Sequence, residues 1–152
     1  MFMDDRLEFA DATSVGTPNN STVNVGDIID TGSVSRDIGN GEQMYLVVTV
    51  DTAITSGGAA TCEFKLVSDA TTTIAVDGTA TEHVTSDSIP KATLVAGYKM
   101  VMPLSSVNPT YERYLAFQIE ETAGQALTAG NVNAFLTLDP HGWTSYNDAA
   151  NS

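Results

Sequence analysis

The run MYLVVTV, Met44 to Val50, is apolar on both faces of an extended chain: Met44, Leu46, Val48 and Val50 fall on one side, Tyr45 and Val47 on the other. Such a strand belongs at the centre of a sheet covered on both sides, or against a subunit partner. Three other stretches alternate more simply. TCEFKLV places Cys62, Phe64 and Leu66 on one face. YLAFQIE sets Leu115, Phe117 and Ile119 against Tyr114, Ala116, Gln118 and Glu120. NVNAFLTLD turns Val132, Ala134, Leu136 and Leu138 inward and leaves Phe135 outward, a hint of another surface.

No stretch sustains a 3.6-residue periodicity, and the turn signals SGGA, VDGT, ETAG and TAGN separate the apolar runs. The pattern predicts strands at about residues 6–15, 23–30, 43–54, 60–68, 80–89, 92–104, 111–121 and 131–139. Pro103 cannot donate to a ladder, so its strand ends there, bulges or lies at an edge. The expected fold is all-β, an eight-stranded jelly roll or related antiparallel β-sandwich; an immunoglobulin-like sandwich and a closed barrel share these signals. The immunoglobulin option lacks a Cys…Trp…Cys framework. The polar, Thr-rich stretches TSVGTPNNSTV and SDATTTIAVDGTATEH read as exposed connections. One domain over residues 1–140 is expected, with residues 141–152 as a C-terminal tail held by a partner.

Six basic residues face nineteen acidic ones, a formal net charge of -13. Binding a phosphate backbone needs clustered Lys and Arg, but Lys65, Lys91, Lys99, Arg6, Arg36 and Arg113 are scattered singly. Nucleic acid and anionic membranes are therefore not expected partners. No apolar run reaches the roughly 20 residues of a membrane-spanning helix, and MFMDDRLEFA lacks the basic start and apolar core of a signal peptide. Folding in a cytoplasm is expected.

Catalysis finds little to build on. Glu112, Glu120 and Glu121 read as residues of a solvated strand face, because adjacent Glu120 and Glu121 point to opposite sides and cannot converge on one bond. A glycosidase pair assembled from distant carboxylates is not excluded by sequence, although nothing singles one out. His83 reads as an ordinary surface histidine and Cys62 as an inert core thiol. Two histidines and one cysteine make no zinc spacing. DIIDTGSVSRDIGNGE offers Asp27, Asp30, Asp37, Asn40 and Glu42 as weak calcium ligands, outside the EF-hand register. No enzyme activity and no cofactor or metal is expected.

Binding or structure remains. The ending LDPHGWTSYNDAANS should not fold alone, and tails fray unless something ties them down. Trp143 and Tyr146 are its candidate anchors, with Phe2 and Met3 at the start and Phe135 on β-strand surface completing the candidate partner interface.

Taken in order, SRDIGNGEQMYLVVTV, LVAGYKMVMPL, YERYLAFQI and TAGNVNAFLTLD resemble the capsid cement, or decoration, proteins of short-tailed bacteriophages, of the Bordetella phage cement-protein type. In that family an Arg-Asp-x-Gly turn leads into an apolar strand, a Gly-containing strand ends near proline, RYL begins the next, and an AG-V-A-L-LD strand follows. Residues 33 to 139 carry the likeness. It implies a small, trimeric jelly roll or related sandwich on the outer surface of an icosahedral head, bound to the major capsid protein and stabilising the shell against DNA pressure. Arg36, Asp37, Gly39 and Gly41 would form a turn, and Arg113, Tyr114 and Leu115 a strand. The alternative expectation is a carbohydrate-binding β-sandwich displayed on a virion, which Trp143 and Tyr146 would serve.

Overall fold

A computed structural model describes residues 5–32, 38, 41–105 and 110–141. After a 3-10 turn at Asp5–Leu7 come β1 (Glu8–Ser14), β2 (Ser21–Asn24), β3 (Ile29–Asp30), β4 (Tyr45–Ser56) and β5 (Thr61–Asp69). There follow β6 (Thr81–Thr85), β7 (Ile89–Pro90), β8 (Lys99–Pro103), β9 (Tyr114–Glu121) and β10 (Leu127–Thr137). They form two antiparallel sheets packed as a β-sandwich. The four-stranded sheet has the order β1-β10-β4-β8; the six-stranded sheet has the order β2-β9-β5-β6, with β3 on β9 and β7 on β5.

The core follows from the alternation. Leu46, Val48 and Val50 of β4 and Val132, Ala134 and Leu136 of β10 meet Cys62, Phe64 and Leu66 of β5 and Leu115, Phe117 and Ile119 of β9. Phe64 and Phe117 stack with ring planes 4° apart and centroids 6.1 Å apart. β4 lies between β10 and β8, and its second face is covered too, with Val47 fully buried. β8 is an edge strand and stops at Pro103, where the missing N–H costs no ladder bond.

Two glycines allow close backbone approaches in the sandwich. Gly26, at φ +78°, follows β2 and passes the backbone of β1, and Asp27 N–H donates to the Phe9 carbonyl at 2.6 Å. Gly130, at φ +140°, lets β10 kink past Ile54, whose Cα would stand 2.8 Å from any Cβ placed there.

Several expectations are corrected. The strand expected at 23–30 is two, β2 and β3, because Gly26 turns the chain between them. The strand expected at 80–89 is likewise split into β6 and β7. Only Lys99–Pro103 of 92–104 is strand; before it the chain makes tight turns, Thr93 N–H to the Pro90 carbonyl and Leu94 N–H to that of Lys91, which carry Leu94 into the core. There are thus ten strands among the described residues rather than eight. Leu138, expected inward, is 50% exposed because β10 has ended at Thr137. Phe135 does lie on the side of β10 away from the core, but at 4% exposure it is buried rather than presented to solvent.

Candidate functional site

The outer face of the six-stranded sheet is the most elaborated surface. Residues 70–80, expected as a plain exposed connection, fold back over it: Ile74 is buried and packs with Val67 and Ala116, flanked by Ala80 and Tyr114. Gln118, outward on β9, is 4% exposed and holds this loop down. Its Nε2 donates to Asn24 Oδ1 and to the Ala75 carbonyl, both at 2.8 Å, and Asn24 Nδ2 donates to the Ile74 carbonyl at 3.1 Å. A buried amide so satisfied fixes one loop position, since any other arrangement would strand its donors.

Between loop and sheet runs a groove of about 420 Å³, its floor formed by Lys65, Gln118 and Glu120 and its wall by Val76, Asp77 and Gly78. Lys65 Nζ lies 2.6 Å from Glu120, 3.5 Å from Glu82 and 4.0 Å from Glu63. Partial burial opposes its charge, but the Glu120 hydrogen bond and the three carboxylates outweigh that and hold the ammonium above the ordinary lysine value. Three carboxylates against one ammonium leave the sheet face around Lys65 negative. No aromatic side chain among the described residues lines the groove.

The glutamates that opened the question of catalysis have separate tasks. Glu120 is the ion-pair partner of Lys65. Glu112 accepts from Thr81 Oγ1 at 3.1 Å. Glu121, expected on a solvated face, is 0% exposed. Its carboxylate accepts the backbone N–H of Asn20 at 2.8 Å, of Ala123 at 2.9 Å and of Gln125 at 3.0 Å, tying β2's approach to the β9–β10 turn. Desolvation pushes its pKa up, yet these backbone donors together carry it below the ordinary glutamate value. The sequence held the signal: Glu121 continues the inward parity of Leu115, Phe117 and Ile119.

His83 is not a plain surface histidine. It is half-buried, stacked on Tyr111 with centroids 3.7 Å apart, and Nε2 lies 2.7 Å from Ser68 Oγ. Ser68 is itself fully buried and accepts the Glu112 N–H at 3.0 Å, so the pair braces β5, β6 and the approach to β9. Burial pushes Tyr111 up to about 12. Cys62 is buried in the core, and burial followed by the Glu121 charge raises it to about 11, which keeps it an unreactive thiol.

Of the calcium candidates, Asp37 and Asn40 lie outside the described residues. Asp30 is engaged elsewhere: Arg113 Nε and Nη2 donate to Oδ1 and Oδ2, both at 2.8 Å, and hold its pKa at about 2. Arg113 also lies 4.8 Å from the Tyr114 ring centroid, one residue ahead of β9. No metal-binding group of His, Cys, Asp and Glu occurs among the described residues. Phe2, Met3, Trp143 and Tyr146 of the candidate interface also lie outside them.

The family comparison bears on this same sandwich. The model of the Bbp16 family, a Bordetella phage protein family, matches residues 9–136, from β1 to the end of β10. The chain belongs to the Bbp16 family. The matched span takes in both sheets, the Gln118-anchored loop and the Glu121 clasp, so the Bbp16 unit is the whole sandwich. Bbp16 membership fits a phage virion protein with a structural role. No curated protein matches the chain. Among the described residues no helix is long and apolar enough to cross a membrane.

Proposed function

We propose that this protein is a capsid cement, or decoration, protein: it binds the outer surface of an assembled icosahedral phage head, in contact with the major capsid protein, and stabilises the shell against the pressure of packaged DNA. The observation that carries this reading is the Bbp16 match across residues 9–136, read with the resemblance of the ordered strand motifs to phage cement proteins. The physics is consistent with it. A cement protein needs a rigid body with broad faces, and both central strand pairs here are long: β5 and β9 pair in unbroken register, and β4 and β10 do so from Val132 to Thr137. An acidic protein of net charge -13 is repelled by nucleic acid and by its own copies at long range, leaving specific shell contacts to local charge pairing.

On this reading the protein acts without catalysis and assembles as a homotrimer. A carbohydrate-binding role calls for an aromatic platform, and among the described residues the groove on the six-stranded sheet is lined by aliphatic, polar and charged side chains. Quantitative mass spectrometry of gradient-purified virions tests the proposal. A ratio to the major capsid protein near one or a simple fraction supports a lattice-wide head component, whereas trace or absent signal removes it. Analytical ultracentrifugation of the isolated protein tests the trimer, and a monomer at micromolar concentration counts against it.

A further inference from the structure

The groove between the six-stranded sheet and the loop over it contains an acceptor that the fold leaves unused. Gln118 lines the groove at 4% exposure, and its Nε2 spends its hydrogens on Asn24 Oδ1 and the Ala75 carbonyl. Its Oε1 accepts no hydrogen bond from any described residue. The amide is planar, so this oxygen is turned away from both of those partners, and a donor for it has to come from solvent or a ligand.

The charges around that oxygen specify the donor. Glu82, Glu120 and Asp77 line the groove against the single positive charge of Lys65. Glu120 is held by Lys65 at 2.6 Å, whereas Glu82 lies farther off at 3.5 Å and keeps half its side chain exposed. Across β5 the register sets Gln118 opposite Lys65 and Glu82 opposite Val67, so the open amide oxygen and the looser carboxylate flank neighbouring positions of one sheet face. Val76, 45% exposed, gives the loop wall an apolar strip.

We propose that this groove is a docking site for an arginine side chain on a partner protein, its guanidinium shared between Glu82 and Gln118 Oε1 and its stem laid on Val76; taking that partner to be the capsid shell rests on the cement-protein reading. A guanidinium carries five N–H donors in one plane and is less strongly hydrated than an ammonium, so it serves a carboxylate and an amide oxygen together at a half-buried site. Its methylene stem covers exposed apolar surface. A second copy of this chain is a poor source, because the net charge is -13 and Lys91, Lys99 and Arg113 already donate to Ser56, Pro140 and Asp30.

The test is heteronuclear NMR of the isotopically labelled full-length protein titrated with N-acetyl-argininamide, with the uncharged citrulline analogue as control. The expected result is saturable shifts of the Gln118 side-chain amide and the Gly78 backbone amide, weakened by salt and absent with citrulline. Glu82→Lys, which places a resident cation in the groove, lowers the affinity several-fold or more; should that variant lose its fold, Glu82→Gln serves and must also bind more weakly. Shifts that do not saturate, an equal response to citrulline, or unchanged affinity in a folded Glu82 variant overturns the proposal. Virions assembled with each protein test the partner. Loss of the Glu82→Lys protein from heads that retain the unsubstituted one supports the capsid contact, and equal occupancy overturns it. Absence of the unsubstituted protein from heads defeats the cement-protein reading and with it the capsid as partner, while the arginine titration still decides the groove.

Discussion

Gly26 and Phe9 approach so closely that a Cβ on Gly26 would stand 1.8 Å from the Phe9 carbonyl oxygen. The glycine belongs to the loop between β2 and β3 of one sheet and the phenylalanine to β1 of the other, so their contact closes one side of the sandwich. Asp27 N–H bonds the same carbonyl at 2.6 Å, which leaves the loop no room to retreat.

Gly26→Ala is therefore expected to cost roughly 3 kcal/mol or more, adding a clash with backbone to the strain of φ +78° for a residue with a Cβ. Urea unfolding checks this. A loss under about 1 kcal/mol, the value for conformational strain alone, would mean that the loop and β1 separate easily.

Glu121 gives the protein an acid limit. Its pKa is depressed in the folded state, so its contribution is fully present above the ordinary glutamate value of 4.5 and is lost as pH falls through the folded value. Stability is expected to hold from neutrality to that point and then to fall. Glu121→Gln should lose roughly 2–4 kcal/mol at neutral pH, since a neutral amide sets its own N–H groups against backbone donors, and should flatten the decline. Urea midpoints measured from pH 7 to pH 3 for both proteins decide it.

How much of this was legible in the chain depends on what each residue's neighbours supply. β4, β5 and β9 were readable because alternation and two-sided apolarity are local, and Pro103 marked the end of β8 for the same reason. Glu121 had the parity of the core residues beside it, but its acceptability there rests on the N–H groups of Asn20, Ala123 and Gln125, which only the fold brings together. Ile74, alone in a Thr-rich stretch, is buried only because Gln118 and Asn24 hold the backbone around it. Phe135 was placed on the correct side of its strand, but alternation does not report what covers a face.

Lys65 is expected to matter more than a lone surface pair, because it neutralises part of the charge of Glu63, Glu82 and Glu120 at once. Lys65→Met keeps the stem and removes the charge, and should cost about 1 kcal/mol in low salt, with much of the loss recovered as added salt screens the three carboxylates. The pKa of Lys65 is raised, so its stabilisation is fully present below the ordinary value of 10.5 and disappears as pH climbs through the folded value. Thermal melts across a salt series provide the check; an equal loss at every salt concentration would point to lost packing instead.

Asp30 is committed to Arg113 through both carboxylate oxygens, so it has little left to offer a cation. Adding calcium or EDTA is expected to leave the melting temperature unchanged in scanning calorimetry. A rise with calcium that EDTA reverses would show that the Asp27 to Glu42 region binds the ion despite this pair.

Gln118 is expected to act on the loop over the outer sheet face more than on the fold as a whole. Its side chain contributes nothing to the core between the sheets, whose β9 members are Leu115, Phe117 and Ile119, yet it makes two of the hydrogen bonds that fasten residues 74 and 75. Gln118→Leu should leave Asn24 Oδ1 and the Ala75 carbonyl without that donor and release the loop at a cost of roughly 1–3 kcal/mol locally. Opening of that size raises the population accessible to a protease by roughly five- to a hundredfold. Limited proteolysis followed by mass spectrometry should therefore show new cuts within residues 70–80, with global unfolding by urea changed by less than the local effect. Cleavage appearing across the whole chain instead would mean that the loop and the six-stranded sheet unfold as one unit.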